Sequence, residues 1–211
     1  MDLKNLRLSY GKNKIDFNNL EEDPIIFFKR WFEVALKYTN SEANSCFLST
    51  ITILNTPSTR VVLLKDITDN GFVFFTNFNS SKSVDILNNN NVSLNFYWPE
   101  IERQVRINGT VTKINRKESV EYFQSRPRES QLGAWLSEQS SSINFDHSFD
   151  SELNIIEDKF KDKDIECPIH WGGYCVKPLK FEFWQGRPSR LHDRLLYEFE
   201  SNCWKLKRLA P

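Results

Sequence analysis

Residues 103–114 read Arg-Gln-Val-Arg-Ile-Asn-Gly-Thr-Val-Thr-Lys-Ile. Val105, Ile107, Gly109 and Val111 alternate with Arg106, Asn108, Thr110 and Thr112. Successive side chains of a strand point to opposite faces, so this period of two predicts a half-buried β-strand. On its N-terminal side, 45–53, 59–66, 72–77 and 92–98 are likewise rich in Val, Ile, Thr and Phe. Turn signals separate several of them, at Asn55-Thr56-Pro57 and Asp69-Asn70-Gly71. On its C-terminal side, Gly172-Gly173 precedes a strand over 174–184, and strands over 194–199 and 203–208 flank a turn at 200–202.

Helices fit between these runs. Asp23 is a natural N-cap and Pro24 a natural first residue for a helix carrying Ile25, Phe28, Trp31, Phe32, Ala35 and Leu36 at helical spacing. Further helices are predicted over 80–87, 117–124, from Pro127 to about 138, and over 152–161, with a polar loop at 141–150. The order is one helix, five strands, helices, then three strands. Strands in runs, without regular alternation with helices, argue against a Rossmann fold. They predict a mainly β, α+β chain: an antiparallel barrel with peripheral helices. Residues 1–20 are polar and irregular and read as a flexible arm, leaving 21–211 as a single domain.

The chain has 211 residues, with 28 Lys+Arg balancing 28 Asp+Glu. Zero net charge argues against a nucleic-acid binder or membrane-surface protein that works by bulk charge. The longest apolar runs, 25–28 and 61–64, fall far short of the roughly 20 residues that span a bilayer. The opening MDLKNLRLSYGKNK lacks the apolar stretch of a signal peptide, so a cytoplasmic location is expected. Cys46, Cys167, Cys175 and Cys203 are dispersed, as are His147, His170 and His192. Reduced, mostly buried thiols are expected, with no disulfide framework and no metal site.

The common nucleotide, hydrolase and metalloprotease motifs are missing. What remains is a set of cations and hydroxyls. Arg60 and Lys65 bracket an apolar strand; five apart, they leave a regular strand on opposite faces, as partners of different ligands or as mere strand ends. Residues 76–82 join a strand to a helix whose first turn holds Lys82; such an N-terminus suits an anion, or is simply capped by Asn79 or Ser80. Tyr122, Arg126 and Ser130 follow at i, i+4 and i+8, near one helical face even with a kink at Pro127. Phenol, guanidinium and hydroxyl together suit a phosphate monoester, though a solvated polar face has the same pattern. Around the turn after Trp184, Arg190, His192 and Arg194 suit a planar anionic heterocycle. His192 also suits a structural pairing with Asp193.

Taken together, RVVLLK (60–65), FFTNFNSSK (74–82), ERQVRINGTV (102–111), YFQSRPRESQLGAW (122–135), EQSS (138–141), HWGGY (170–174), EFWQGRPSRLHDR (182–194) and WKLKRLAP (204–211) closely resemble the pyridoxamine/pyridoxine 5′-phosphate oxidase family. The resemblance runs from Leu6 to the last residue. It implies a split β-barrel that works as a homodimer, with FMN at the subunit interface. It implies oxidation of pyridoxamine 5′-phosphate and pyridoxine 5′-phosphate to pyridoxal 5′-phosphate, with O2 as acceptor and hydrogen peroxide, plus ammonia from the amine, as by-products.

By matching motif, the resemblance gives Arg60, Val61, Ser81, Lys82, Gln139 and Ser140 to the FMN phosphate and ribityl chain. It gives Phe75, Thr76, Gln104, Trp184 and Arg194 to the flavin. Lys65, Tyr122, Arg126 and Ser130 fall to the substrate phosphate, with Lys65 also near the flavin. Arg190 and His192 fall against the pyridine ring as the groups giving catalytic help, with Arg7 and Tyr10 in an N-terminal lid. Ser81 stands where the family usually carries Arg, and Phe75 where some members carry Tyr. The intact substrate set argues against a non-catalytic flavin or pyridoxal phosphate carrier, and a related flavin enzyme with another reductant is the third reading.

Overall fold

In the computed structural model, which describes residues 3–6, 8–40 and 42–211, helix α1 spans Pro24–Tyr38. The Asp23 carboxylate accepts from the Ile25 N–H at 2.8 Å, and Pro24 occupies the first turn, as the sequence predicts. Strands β1 (Ser45–Ile51), β2 (Pro57–Leu63), β3 (Asp66–Thr68) and β4 (Gly71–Asn77) follow. Helix α2 (Ser81–Asn88) leads to β5 (Asn91–Trp98) and β6 (Arg103–Lys113). Then come α3 (Arg116–Ser125), α4 (Arg128–Leu136), α5 (Asp150–Lys159), β7 (Trp171–Gln185), β8 (Asp193–Glu200) and β9 (Cys203–Leu209).

All pairings are antiparallel, and the main path runs β2-β1-β5-β6-β7-β4-β3, with β8 and β9 continuing from β7. Its two end strands, β2 and β3, are separated in the chain by only Leu64 and Lys65. The sheet must therefore curl until its edges meet, which makes it a barrel split between β2 and β3. The fold class predicted from sequence is correct. The predicted strand over 59–66 is in fact β2, a corner and the three-residue β3, because the chain turns at Leu64-Lys65 to reach the opposite edge.

Phe28, Phe72, Phe96, Val105, Ile107, Phe181 and Phe183 are fully buried in the barrel core. Alternate residues of β6 supply it, as the period of two requires. Helix α1 closes the core, with Phe28 edge-on to Phe72 and Phe96 at 5.0 Å each. Fully burying one such side chain contributes roughly 1.5–3 kcal/mol. A second, smaller cluster of Phe123, Leu132, Phe160, Ile165 and Trp171 seats α3, α4 and α5 against the start of β7.

Three expectations are corrected here. Gly172 and Gly173 do not precede the strand; they lie inside β7. They are glycine because a Cβ on Gly173 would sit 2.5 Å from Ile114 Cδ1 and 2.9 Å from Phe75, so close packing selects them. The later part of the N-terminal arm is tied down: the Gly11 and Lys12 N–H groups donate to Glu102 Oε2 at 2.8 and 3.0 Å, and Ile15 is buried. Cys46 and Cys175 are buried, but Cys167 is only half-buried and Cys203 is exposed. Among the described residues no helix is long and apolar enough to cross a membrane, and no group of His, Cys, Asp and Glu is placed to hold a metal.

Candidate active site

Strand β4 ends at Asn77 and the chain turns directly into α2. Neither expected cap forms there: Ser80 Oγ donates to the Asn77 carbonyl, and the Asn79 N–H donates to Asn77 Oδ1. Among the described residues the start of α2 therefore has no side-chain acceptor. Lys82 is buried beside it, and its Nζ donates to Thr76 Oγ1 and Ser80 Oγ at 3.0 Å and to Gln139 Oε1 at 3.1 Å. All three are neutral oxygens. Burial, and then the nearby Arg60 charge, pull the Lys82 pKa down to about 8. An unneutralised cation at an uncapped helix start suits a bound anion such as a phosphate.

Arg60 reaches the same region from β2. It donates to Thr50 Oγ1 at 2.6 Å and to Ser58, and it pairs with Asp85 at 3.5 Å. Strand parity does not govern Lys65, because β2 ends at Leu63 and Lys65 lies in the corner beyond. Lys65 lines a cavity of about 610 Å³ that Arg60 does not line.

That cavity brings together Val61, Lys65, Phe75, Thr76, Lys82, Tyr122, Arg126, Ser130 and Gln139. Ser81 and Ser140 line an adjoining cavity that also touches Gln139. Tyr122, Arg126 and Ser130 do converge, but not on one kinked helix. The residue before a proline is forced out of the helical region, so α3 stops at Ser125 and Arg126 is extended, with ψ 151°. Tyr122 belongs to α3, Ser130 to α4, and Arg126 to the corner between them.

Arg126 stacks over Trp171, 4.7 Å from its ring centre, and its Nη1 is buried with no hydrogen-bond partner among the described residues. Phe75 stacks on Tyr122 at 3.9 Å and lies parallel to Trp171 at 5.4 Å. Burial raises the Tyr122 pKa, so its phenol stays a neutral donor. Trp171 is a site residue that sequence reasoning missed. The adjoining glycines, which let an aromatic ring approach, were its one signal.

The remaining predicted residues lie elsewhere. Tyr10, Trp184 and His192 form an aromatic cluster, with Trp184 and His192 4.7 Å apart and Tyr10 5.7 and 5.8 Å from them. Gln104 and Arg194 flank Trp184 on the neighbouring strands. Gln104 donates to Asn95 Oδ1, and Arg194 donates to Glu182 and to the Ala210 carbonyl. His192 is not paired to Asp193; its Nδ1 accepts from the Arg187 N–H at 3.1 Å. Asp193 instead meets Arg187, Arg208 and the Ile15 N–H. Arg190 does not share a strand face with His192, because Ser189 and Arg190 have φ of 57° and 62° in a tight turn. Arg7 lies outside the described residues.

The two groups sit at opposite ends of β7. Phe75 pairs with Gly173 near its start, whereas Trp184 is next to its last residue. Eleven strand positions span about 36 Å. None of the second group lines the 610 Å³ cavity.

Residues 32–153 match the family model for pyridoxamine 5′-phosphate oxidase, and residues 171–211 match that for the pyridoxine 5′-phosphate oxidase C-terminal dimerisation region. The chain belongs to the pyridoxamine 5′-phosphate oxidase family. It is 46% identical to pyridoxine/pyridoxamine 5′-phosphate oxidase 2 of Hydrogenovibrio crunogenus, over 100% of this chain and 99% of that one. It is 44% identical to the pyridoxine/pyridoxamine 5′-phosphate oxidase of Leptospira interrogans, over 99% and 98%. Among solved structures, PhzG from Burkholderia lata 383, in complex with tetrahydrophenazine-1-carboxylic acid, superposes with a TM-score of 0.87 at 26% identity, over 95% of this chain and 100% of that one. A pyridoxamine 5′-phosphate oxidase-related, FMN-binding protein from Nostoc punctiforme shares the fold, with a TM-score of 0.71 at 15% identity over 87% and 97%. Within the pyridoxamine 5′-phosphate oxidase family model fall Lys65, Lys82, Tyr122, Arg126 and Ser130; Trp184, Arg190, His192 and Arg194 fall within the dimerisation region.

Proposed function

We propose that this chain is an FMN-dependent oxidase that converts pyridoxamine 5′-phosphate and pyridoxine 5′-phosphate to pyridoxal 5′-phosphate in the cytoplasm, with O2 as acceptor. The observation that carries the reading is Arg126. Its buried, unpartnered Nη1 shares a cavity with Lys65, Tyr122 and Ser130, which is a fitting donor set for a phosphate monoester.

Lys82, beside the uncapped start of α2, suits a second phosphate, that of FMN, with Arg60, Gln139 and Ser140 around it. Held there, FMN would supply the hydride acceptor for the oxidation, with O2 as the final acceptor and hydrogen peroxide as by-product. Val61, Phe75, Thr76 and Lys65 line the space between the two phosphate positions. Gln104, Trp184 and Arg194 suit the flavin ring, and Arg190 and His192 the pyridine ring.

These two groups cannot meet on one ligand within one chain, because about 36 Å of β7 divides them. A second copy that brings its Trp184 end to the first copy's cavity completes each site. The match of 171–211 to a dimerisation region supports that homodimer. Residues 21–211 act as one domain, and Tyr10, against Trp184 and His192, covers the ring-binding group as a lid.

Because the His192 Nδ1 accepts the Arg187 N–H, the neutral ring carries its proton on Nε2. Burial and then Arg190 lower its pKa, so it orients substrate as a neutral donor. Arg190 contributes a permanent charge. The test is anaerobic mixing of the yellow holoenzyme with pyridoxamine 5′-phosphate. Bleaching of the flavin absorbance is expected; flavin that stays oxidised with ligand bound refutes the oxidase reading.

A further inference from the structure

We infer that Gln131 is a positioning residue for the phosphate-binding corner, an inference that rests on the proposed role of Arg126. The end of α3 leaves main-chain carbonyls without the i+4 N–H partners of a helix interior, and that of Phe123 accepts instead from the Arg126 N–H at 3.2 Å. Gln131, only 7% exposed and in the first turn of α4, turns its side-chain amide back onto them. Nε2 lies 3.2 Å from the Phe123 and Gln124 carbonyls and 3.0 Å from that of Arg126. An amide has two N–H donors, so three carbonyls share them. One side chain thus staples the last turn of α3 to the first turn of α4 across the Arg126-Pro127 break.

The staple matters because the Arg126 guanidinium is held loosely by its own contacts. Its Nη1 has no hydrogen-bond partner among the described residues, and its neighbours are the Trp171 and Phe123 rings, at 4.7 and 5.7 Å. Its direction is therefore set by the main chain at the corner, which Gln131 fixes through the Arg126 carbonyl. The same bonds fix the angle between α3, which carries Tyr122, and α4, which carries Ser130. Without the staple the three donors remain but no longer aim at one phosphate.

Holoenzymes carrying Gln131→Met, which keeps the shape and removes the donors, and Gln131→Asn, which keeps a shorter amide, test this against wild type and Arg126→Ala. The readouts are flavin content and the affinities for pyridoxal 5′-phosphate and for unphosphorylated pyridoxal, titrated by the flavin spectrum. Gln131→Met is expected to weaken the phosphate ester about tenfold, the scale of one loosened charged contact. Pyridoxal affinity and flavin content stay unchanged, and Gln131→Asn falls between. Equal loss for both ligands, or no loss, while Arg126→Ala loses phosphate preference, overturns the inference and leaves the Arg126 reading intact. Colourless protein from both Gln131 variants also overturns it, since the residue then holds the fold rather than the corner. If Arg126→Ala is itself indifferent to the phosphate, the reading of the cavity falls and takes this inference with it.

Discussion

Arg126→Ala removes a guanidinium while leaving its main-chain corner in place, since Gln131 bonds the Arg126 carbonyl and not its side chain. What is lost is one buried, unpartnered donor group and a stack over Trp171. A hydrogen bond to a charged group is worth about 1.5–3 kcal/mol, which converts to roughly a ten- to 150-fold rise in KM for pyridoxine 5′-phosphate. Lys82, the group placed at the FMN phosphate, bonds Thr76, Ser80 and Gln139 and none of the Arg126 atoms, so flavin content is expected to stay near wild type. Steady-state kinetics, with flavin absorbance per mole of protein, measure both quantities. A colourless mutant, or an unchanged KM, would refute the assignment of Arg126 to the substrate phosphate.

Ser81→Arg restores a guanidinium beside Gln139 and Ser140 and is expected to tighten FMN binding by about 1 kcal/mol or more, read by flavin titration of the apoprotein; unchanged affinity means another group fills that role. The lowered Lys82 pKa gives two opposite pH trends in the apoprotein. FMN affinity falls as pH rises through about 8 and the ammonium is lost, whereas fold stability rises from about pH 8 towards the unfolded value, because there the unfolded chain binds more protons. Flavin titration and thermal unfolding across that window check the two signs, and Lys82→Met is expected to flatten both. His192→Asn is expected to bind FMN normally and to retain flavin reduction in anaerobic stopped flow, with a loss far below the roughly million-fold effect of deleting a covalent nucleophile; absence of reduction with both ligands bound makes His192 an obligatory proton acceptor.

Much of this was legible in the sequence, for identifiable reasons. Alternation in 103–114 marks a strand buried on one face, and the Asp23-Pro24 pair marks a helix start, because both signals are local. The convergence of Tyr122, Arg126 and Ser130 was also legible, as was the start of a new helix at Pro127; what spacing did not show is that Arg126 belongs to neither helix but to the extended corner between them. What spacing could not show depends on tertiary contact. Gly172-Gly173 reads as a strand boundary until Ile114 and Phe75 are seen against it. Arg190 and His192 read as flanking a turn, but the positive φ of Ser189 and Arg190 that aims their side chains has no signal in the sequence. The arm looks loose because its anchors, Glu102 and Asp193, lie about ninety and 180 positions further along the chain. Gln131 looks like any polar helix residue, and only the three carbonyls around it give it a role.

The claim on which the account turns is that each active site takes its phosphate donors from one chain and its ring-facing groups from another. Subunit exchange between Arg126→Ala and Arg190→Ala enzymes tests it directly. Each parent dimer is damaged at both of its sites. In a mixed dimer one site collects both substitutions, and the other collects neither. Random exchange makes half of the dimers mixed, so about one quarter of wild-type activity is expected to return. Mixed dimers that form, as shown by differential tagging, yet regain no activity would mean that both groups serve one site within a single chain, and would contradict the account.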